Sequence, residues 1–215
     1  MLGSVVVIAA AIALIALLVG QTTGAPSPSA TSASPSASRG PLGPEGIPLE
    51  TGPLLAPAST SAMGTTVDGI QCGASEQVAY HVHTHLAVYV NGQARALPAG
   101  VGIVEPVAQP TTAGPFDEAS RCYFWLHVHA RDGVIHIESP TTTTFTLGQF
   151  FDLWGQPLGV DQVGPETGVL TTYVDGELFH GNPRGIALGS HVDIQIDVGS
   201  PAPPPKTVDW SGSGL

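Results

Sequence analysis

CYFWLHVHARDGVIHIESPTTTTFTLGQFFDLWG, residues 122–155, decides how this chain is read. From Cys122 to Ala130 the side chains alternate in character, as they do on a half-buried strand. Asp132-Gly133 follows, a dipeptide suited to the positive φ angles of a tight hairpin turn, and Val134 to Glu138 alternates again. Beyond a run of threonines, Leu147, Phe150, Phe151 and Trp154 fall at helical spacing after a Thr cap and before Gly155. A hairpin and then a short amphipathic helix are expected.

Outward from this stretch the pattern repeats. Upstream, Val78 to Val90 alternates and ends in Asn91-Gly92; downstream come Val169 to Val174, Asp175-Gly176, Glu177 to Phe179 and a last strand, His191 to Val198. The expected fold class is α+β, a mostly antiparallel sheet with one short helix. From Cys122 onward the order of elements resembles the β-grasp arrangement of ubiquitin-like domains, and an all-β sandwich is the alternative.

Strand parity divides the chemistry. Side chains two apart on a strand share a face. In AYHVHTHLAVYV, residues 79–90, His81, His83 and His85 therefore lie opposite Val82, Leu86, Val88 and Val90. His127 and His129 share a face with Trp125, opposite Phe124, Leu126 and Val128. A two-residue Asp132-Gly133 loop would set His129 opposite His136 and His127 opposite Glu138, leaving Ile135 and Ile137 to the core face. Three imidazoles and a carboxylate then share a surface that no apolar packing explains.

Imidazoles on adjacent strands can hold one ion at the roughly 2.0–2.1 Å of zinc–nitrogen bonds, with a fourth position open to water or substrate. Copper and, behind it, iron accept the same donors. The expected metal ligands are His81, His83, His85, His127, His129 and His136, and the expected cofactor is zinc or copper. Glu138 is the candidate catalytic group, as a general base, if it is neither a ligand nor an orienter of an imidazole N–H. His180 and His191 read as surface histidines, and Tyr80, Tyr89 and Trp125 as packing residues.

The ends set the context. Leu2 to Gly20 carries no charge and approaches the roughly 20 residues that span a bilayer core, so residues 1–20 are expected to be a membrane anchor or a signal segment. Residues 21–66, rich in Pro, Ser and Ala, read as a disordered stalk, 67–199 as the folded domain and 200–215 as a Pro/Gly tail. Export to an oxidising compartment makes a Cys72–Cys122 disulfide the expectation. The 17 acidic residues against 6 basic ones, a formal charge of -11, exclude nucleic acid as a partner and leave the N-terminal segment as the membrane contact.

HVHTHLAVYVNG, CYFWLHVHARDGVIHIESP and FTLGQFFDLWG resemble a family of exported bacterial and archaeal proteins with an H-x-H-x-H-L strand and a W-L-H-x-H…G-x-I-H-x-E-x-P hairpin. The likeness covers most of residues 70–198. It implies that the histidines act together and carries no reaction. Where that family commonly has HTHD, this chain has Val128 and Ala130, so an Asp role there is absent. HTHL at 83–86 also resembles an amidohydrolase metal motif, but a β/α barrel needs about 250 residues and many more helices. The expectation is an extracellular or cell-surface metalloprotein that activates water or oxygen for a small-molecule substrate, or alternatively captures and buffers metal. Metal should be lost below about pH 6, where imidazole takes a proton.

Overall fold

The computed structural model describes residues 40–58 and 63–215. The expected anchor at 1–20 lies outside them, and no helix among the described residues is long and apolar enough to cross a membrane.

The elements in chain order are β1 (Cys72–Gly73), β2 (Tyr80–Val90), β3 (Gln93–Arg95), β4 (Ile103–Thr111) and β5 (Gly114–Phe124). Then follow β6 (Leu126–His127), β7 (Val134–Ser139), β8 (Phe145–Thr146), α1 (Leu147–Trp154), β9 (Gln162–Val163) and β10 (Glu166–Thr167). The last are β11 (Leu170–Val174), β12 (Glu177–Phe179), β13 (Ala187–Leu188) and β14 (Val192–Val198). The principal sheet runs β12-β11-β14-β2-β7-β6, with β3 also on β2, and its central β14–β2 pair is parallel. A separate sheet, β1-β5-β4, is tied by the Cys72–Cys122 disulfide.

Local chemistry explains most of these elements. Asn91-Gly92 and Asp175-Gly176 take positive φ and close tight β2–β3 and β11–β12 hairpins, pairing Val90 with Gln93 and Val174 with Glu177. Thr146 caps α1 in a capping box with Gln149, and left-handed Gly155 ends it. Leu147, Phe150, Phe151, Leu153 and Trp154 are all buried, against the core face of the sheet. Leu86, Val88, Leu126, Ile135 and Ile137 come from that face, as parity requires.

The expected fold class does not hold. Among the described residues, a β-grasp-like, mostly antiparallel α+β domain is replaced by strands spread over several separate sheets, with one α-helix of 8 residues and a parallel pair at the centre of the widest sheet. The all-β sandwich fails too, since α1 supplies a large part of the core. The cause lies in residues 122–130, which are not one strand: the ladder breaks at Trp125. Beyond His127 the backbone finds other partners. Val128 N–H donates to Val101 O (2.9 Å), Gly100 N–H to Val128 O (2.8 Å) and Asp117 N–H to His129 O (2.9 Å). Asp132-Gly133 accordingly ends a longer loop instead of a two-residue turn, and Asp132 Oδ1 accepts from Val134 N–H at 3.2 Å.

Register shifts with it. His127, not His129, stands opposite His136, and Leu126 opposite Ile137; the shift is by two, so each side chain keeps its face. His129 leaves the strand altogether.

Residues 40–58, read from composition as stalk, lie on this domain. Ile47 is fully buried with Val134 and Val208, while Trp210 and Leu215 pack on that cluster. Glu50 N–H donates to Arg131 O (2.7 Å), Leu55 N–H to Ala96 O (2.9 Å), and Trp154 Nε1–H to Pro57 O (2.7 Å). Val134 belongs to the same face of β7 as His136 and Glu138, so the N-terminal segment and the 200–215 tail cover the polar face of the sheet.

Candidate metal centre

Three strands build the site in a row. Across β2, β7 and β6, His83 pairs with His136 and His136 with His127, while His81 pairs with Glu138 one step along. Ring centroids are 4.5 Å apart for His83–His136 and 5.1 Å for His127–His136. His129 reaches the row from its loop, 4.6 Å from both His127 and His136. Phe116 stacks on it at 4.2 Å, and its Nδ1–H donates to Asp117 O at 2.6 Å.

Burial is the next fact. His127 is 0 % exposed, His129 1 %, Glu138 1 % and His136 5 %. Buried polar groups need partners, and these have each other. Glu138 Oε1 lies 3.0 Å from His81 Nε2, 3.2 Å from His136 Nδ1 and 3.8 Å from His127 Nε2. Glu45 Oε1, from the covering segment, lies 2.5 Å from His136 Nε2, and Glu76 Oε1 3.2 Å from His129 Nε2. His83 Nε2, Glu45 Oε2 and Glu138 Oε2 are buried with no partner among the described residues.

The tautomers of two rings follow from their neighbours. A carbonyl can only accept, so His127 Nδ1 carries its proton toward Phe124 O (2.8 Å), as His129 Nδ1 does toward Asp117 O. Each ring when neutral has a bare lone pair on Nε2, and these two atoms face each other at 2.9 Å. Two lone pairs at that distance repel unless a cation stands between or beside them. Nitrogens bound to one tetrahedral ion lie about 3.3 Å apart, so a small ring shift would seat a metal there.

Titration agrees with a site for cations. Burial, then the charge of His129, pushes His136 well below the ordinary range, and burial, then the charges of His136 and His129, does the same to His127. Burial pushes His83 down to about 4 and Glu138 up to about 7. His129 goes the other way: burial pulls it down, but its hydrogen bonds to Glu76 and the Asp117 carbonyl outweigh that and raise it. One proton on His129 relieves the lone-pair contact; a metal ion can displace it.

Two histidine sets have ligand atoms within 4.8 Å of one another, His127/His129/His136 and His81/His83/His136. These histidine and carboxylate groups, buried apart from His81, are placed to hold a metal ion. Five of the six expected ligands and Glu138 thus come together; His85 does not. It sits opposite Val134 and Asp193, with Nδ1 3.8 Å from Asp193 Oδ1. His180 and His191 are exposed, the latter stacked on Trp210 at 4.7 Å.

Glu45, Glu76, Phe116 and Asp117 were not singled out in the sequence. Glu45 left one signal, a lone carboxylate inside the otherwise uncharged LGPEGIP, beside a bulky Ile. Compared with known proteins, the chain matches no family model, no curated protein and no solved structure.

Proposed function

We propose that the protein is an exported transition-metal protein in which His127, His129 and His136 hold zinc or copper, and that the bound ion activates water or oxygen toward a small-molecule substrate. One observation carries the reading: two buried Nε2 atoms, their tautomers fixed by main-chain carbonyls, converge at 2.9 Å. Orientation of an imidazole through its other nitrogen is how ligating histidines are held in place. The resemblance to exported proteins, the apolar N-terminal stretch and the disulfide support export.

Catalysis is supported by access and by a base. A cleft of about 490 Å³, framed by Leu42, Gly43, Phe116 and Leu215, has Glu45 and His136 in its lining. A bound ion would lower the pKa of its water toward 7, and Glu138 beside the imidazoles can take or return a proton as long as it is not itself bound to an ion. A second reading, metal capture without turnover, is favoured by Glu45 and Glu76. Their carboxylates lie against His136 and His129 and would close the coordination shell.

The test is turnover by the zinc-loaded full chain. Hydration of carbon dioxide or ester hydrolysis above the free-zinc rate, abolished in His129→Ala, is the expected result. Tight metal with no turnover of these or, for the copper form, of oxygen leaves capture; no uptake of zinc or copper overturns both readings.

A further inference from the structure

We infer a second metal position, built by His81 Nε2, His83 Nε2 and the Glu138 carboxylate, beside the His127/His129/His136 position and weaker than it; this rests on the metal-centre reading above.

His136 belongs to both histidine sets, but a neutral imidazole has a single lone pair. It therefore cannot serve two ions at once. A carboxylate faces each of its nitrogens, Glu138 Oε1 at 3.2 Å from Nδ1 and Glu45 Oε1 at 2.5 Å from Nε2, so whichever nitrogen carries the proton, only the other can bind an ion. With that one lone pair given to the ion shared with His127 and His129, the outer pair of histidines needs another third donor.

Glu138, opposite His81 on β7, is the nearest carboxylate that touches this pair. Its Oε1 is 3.0 Å from His81 Nε2, and its Oε2 is buried without a partner. His83 Nε2 is likewise a buried nitrogen with nothing to bond among the described residues, on a residue 5 % exposed. His81 and His83 are two apart on β2, with ring centroids 4.5 Å apart, and point to one face. Two buried atoms without partners, His83 Nε2 and Glu138 Oε2, are destabilising unless something satisfies them, and His81 Nε2 already lies against the same carboxylate. A divalent transition cation that drew His81, His83 and the Glu138 carboxylate together by side-chain rotation would satisfy all three.

The two positions differ in access. The side chain of His81 is 34 % exposed, whereas the rings of His127 and His129 are enclosed. The outer ion is therefore the exchangeable one and the one with room for water. Glu138 Oε1 is 3.8 Å from His127 Nε2, which puts the positions side by side, as in sites where two ions act on one substrate.

The experiment is zinc stoichiometry on the full chain, stripped with chelator and reloaded, by equilibrium dialysis with elemental analysis. Two zinc ions per chain in two affinity phases are expected, with His81→Ala/His83→Ala losing the weaker phase and keeping the tighter. One zinc per chain in the unaltered protein overturns the second position and leaves the first standing. No zinc at all overturns the metal-centre reading itself. Two ions retained in the double variant would also defeat the assignment. Cobalt(II) titration of the unaltered protein, followed by its visible absorption, reads the same two steps without any substitution; a single step counts against the proposal.

Discussion

His83 and His85 are two residues apart on the same face of the same strand, both are buried, and burial pushes both down to about 4. Yet His83 lies between His81 and His136 with a nitrogen free, while His85 sits beside Asp193, Nδ1 3.8 Å from Oδ1, and lines a different cleft with Tyr89 and Lys206. The difference is cross-strand register. At His83 the neighbour on β7 is His136; one pair further along it is Val134. Parity selects the face a residue occupies, and register selects its company.

Substitution along that strand and its neighbours can break the contrast. The largest effect is expected at the enclosed triad. His129→Ala should weaken metal binding by more than about 100-fold, beyond the range seen when a merely supporting group is lost. His85→Gln should leave affinity within about twofold, and comparable losses in the two variants, by competition with a chromophoric chelator, would erase the distinction.

Glu138→Gln keeps the shape and removes the charge between the imidazoles. Affinity should fall by about 10–100-fold, the size expected of a group that orients or supplements ligands. An unchanged constant would place Glu138 outside the centre.

Acid sharpens the comparison next. His127 and His136 are lowered by burial and already neutral near pH 6, so only raised His129 must release a proton to bind metal. The dissociation constant should rise about tenfold per pH unit between pH 6 and 5; three ordinary imidazoles would give a slope near three. Metal should thus persist below the pH 6 limit expected from unperturbed histidines.

The metal-stripped protein gives the smallest effect. His83 and His85 have folded pKa values below the unfolded one, so the native state binds fewer protons, and stability is lost as pH falls from about 6.5 toward 4. Each contributes at most about 1.4 kcal/mol per pH unit. Thermal unfolding across that window should flatten by one histidine's share in His85→Gln, and an unaltered slope would mean that His85 is not buried neutral.

Much of the site was legible because a strand's period of two is rigid. The split of His81, His83, His127 and His136 from Leu86, Leu126, Ile135 and Ile137 survives even where the register was misread, since a shift of two keeps every face. The helix was legible from Thr146, Gly155 and its four apolar positions. The fold class was not. Asp132-Gly133 carries the same turn signal as Asn91-Gly92 and Asp175-Gly176, but Val101, Gly100 and Asp117 compete for the backbone at 128–129, and no local pattern announces such distant partners. Residues 40–58 were unreadable for a related reason: a Pro/Gly-rich composition forbids a core of its own but not burial of Glu45 and Ile47 against someone else's.

The central claim is that the rings of His127, His129 and His136 converge on one ion. X-ray absorption at the zinc edge, on the full chain holding one equivalent of zinc, tests it most directly. Three imidazole nitrogens at about 2.0–2.1 Å, with the outer-ring scattering of imidazole, are predicted. A first shell of oxygen alone, without imidazole scattering, would contradict it.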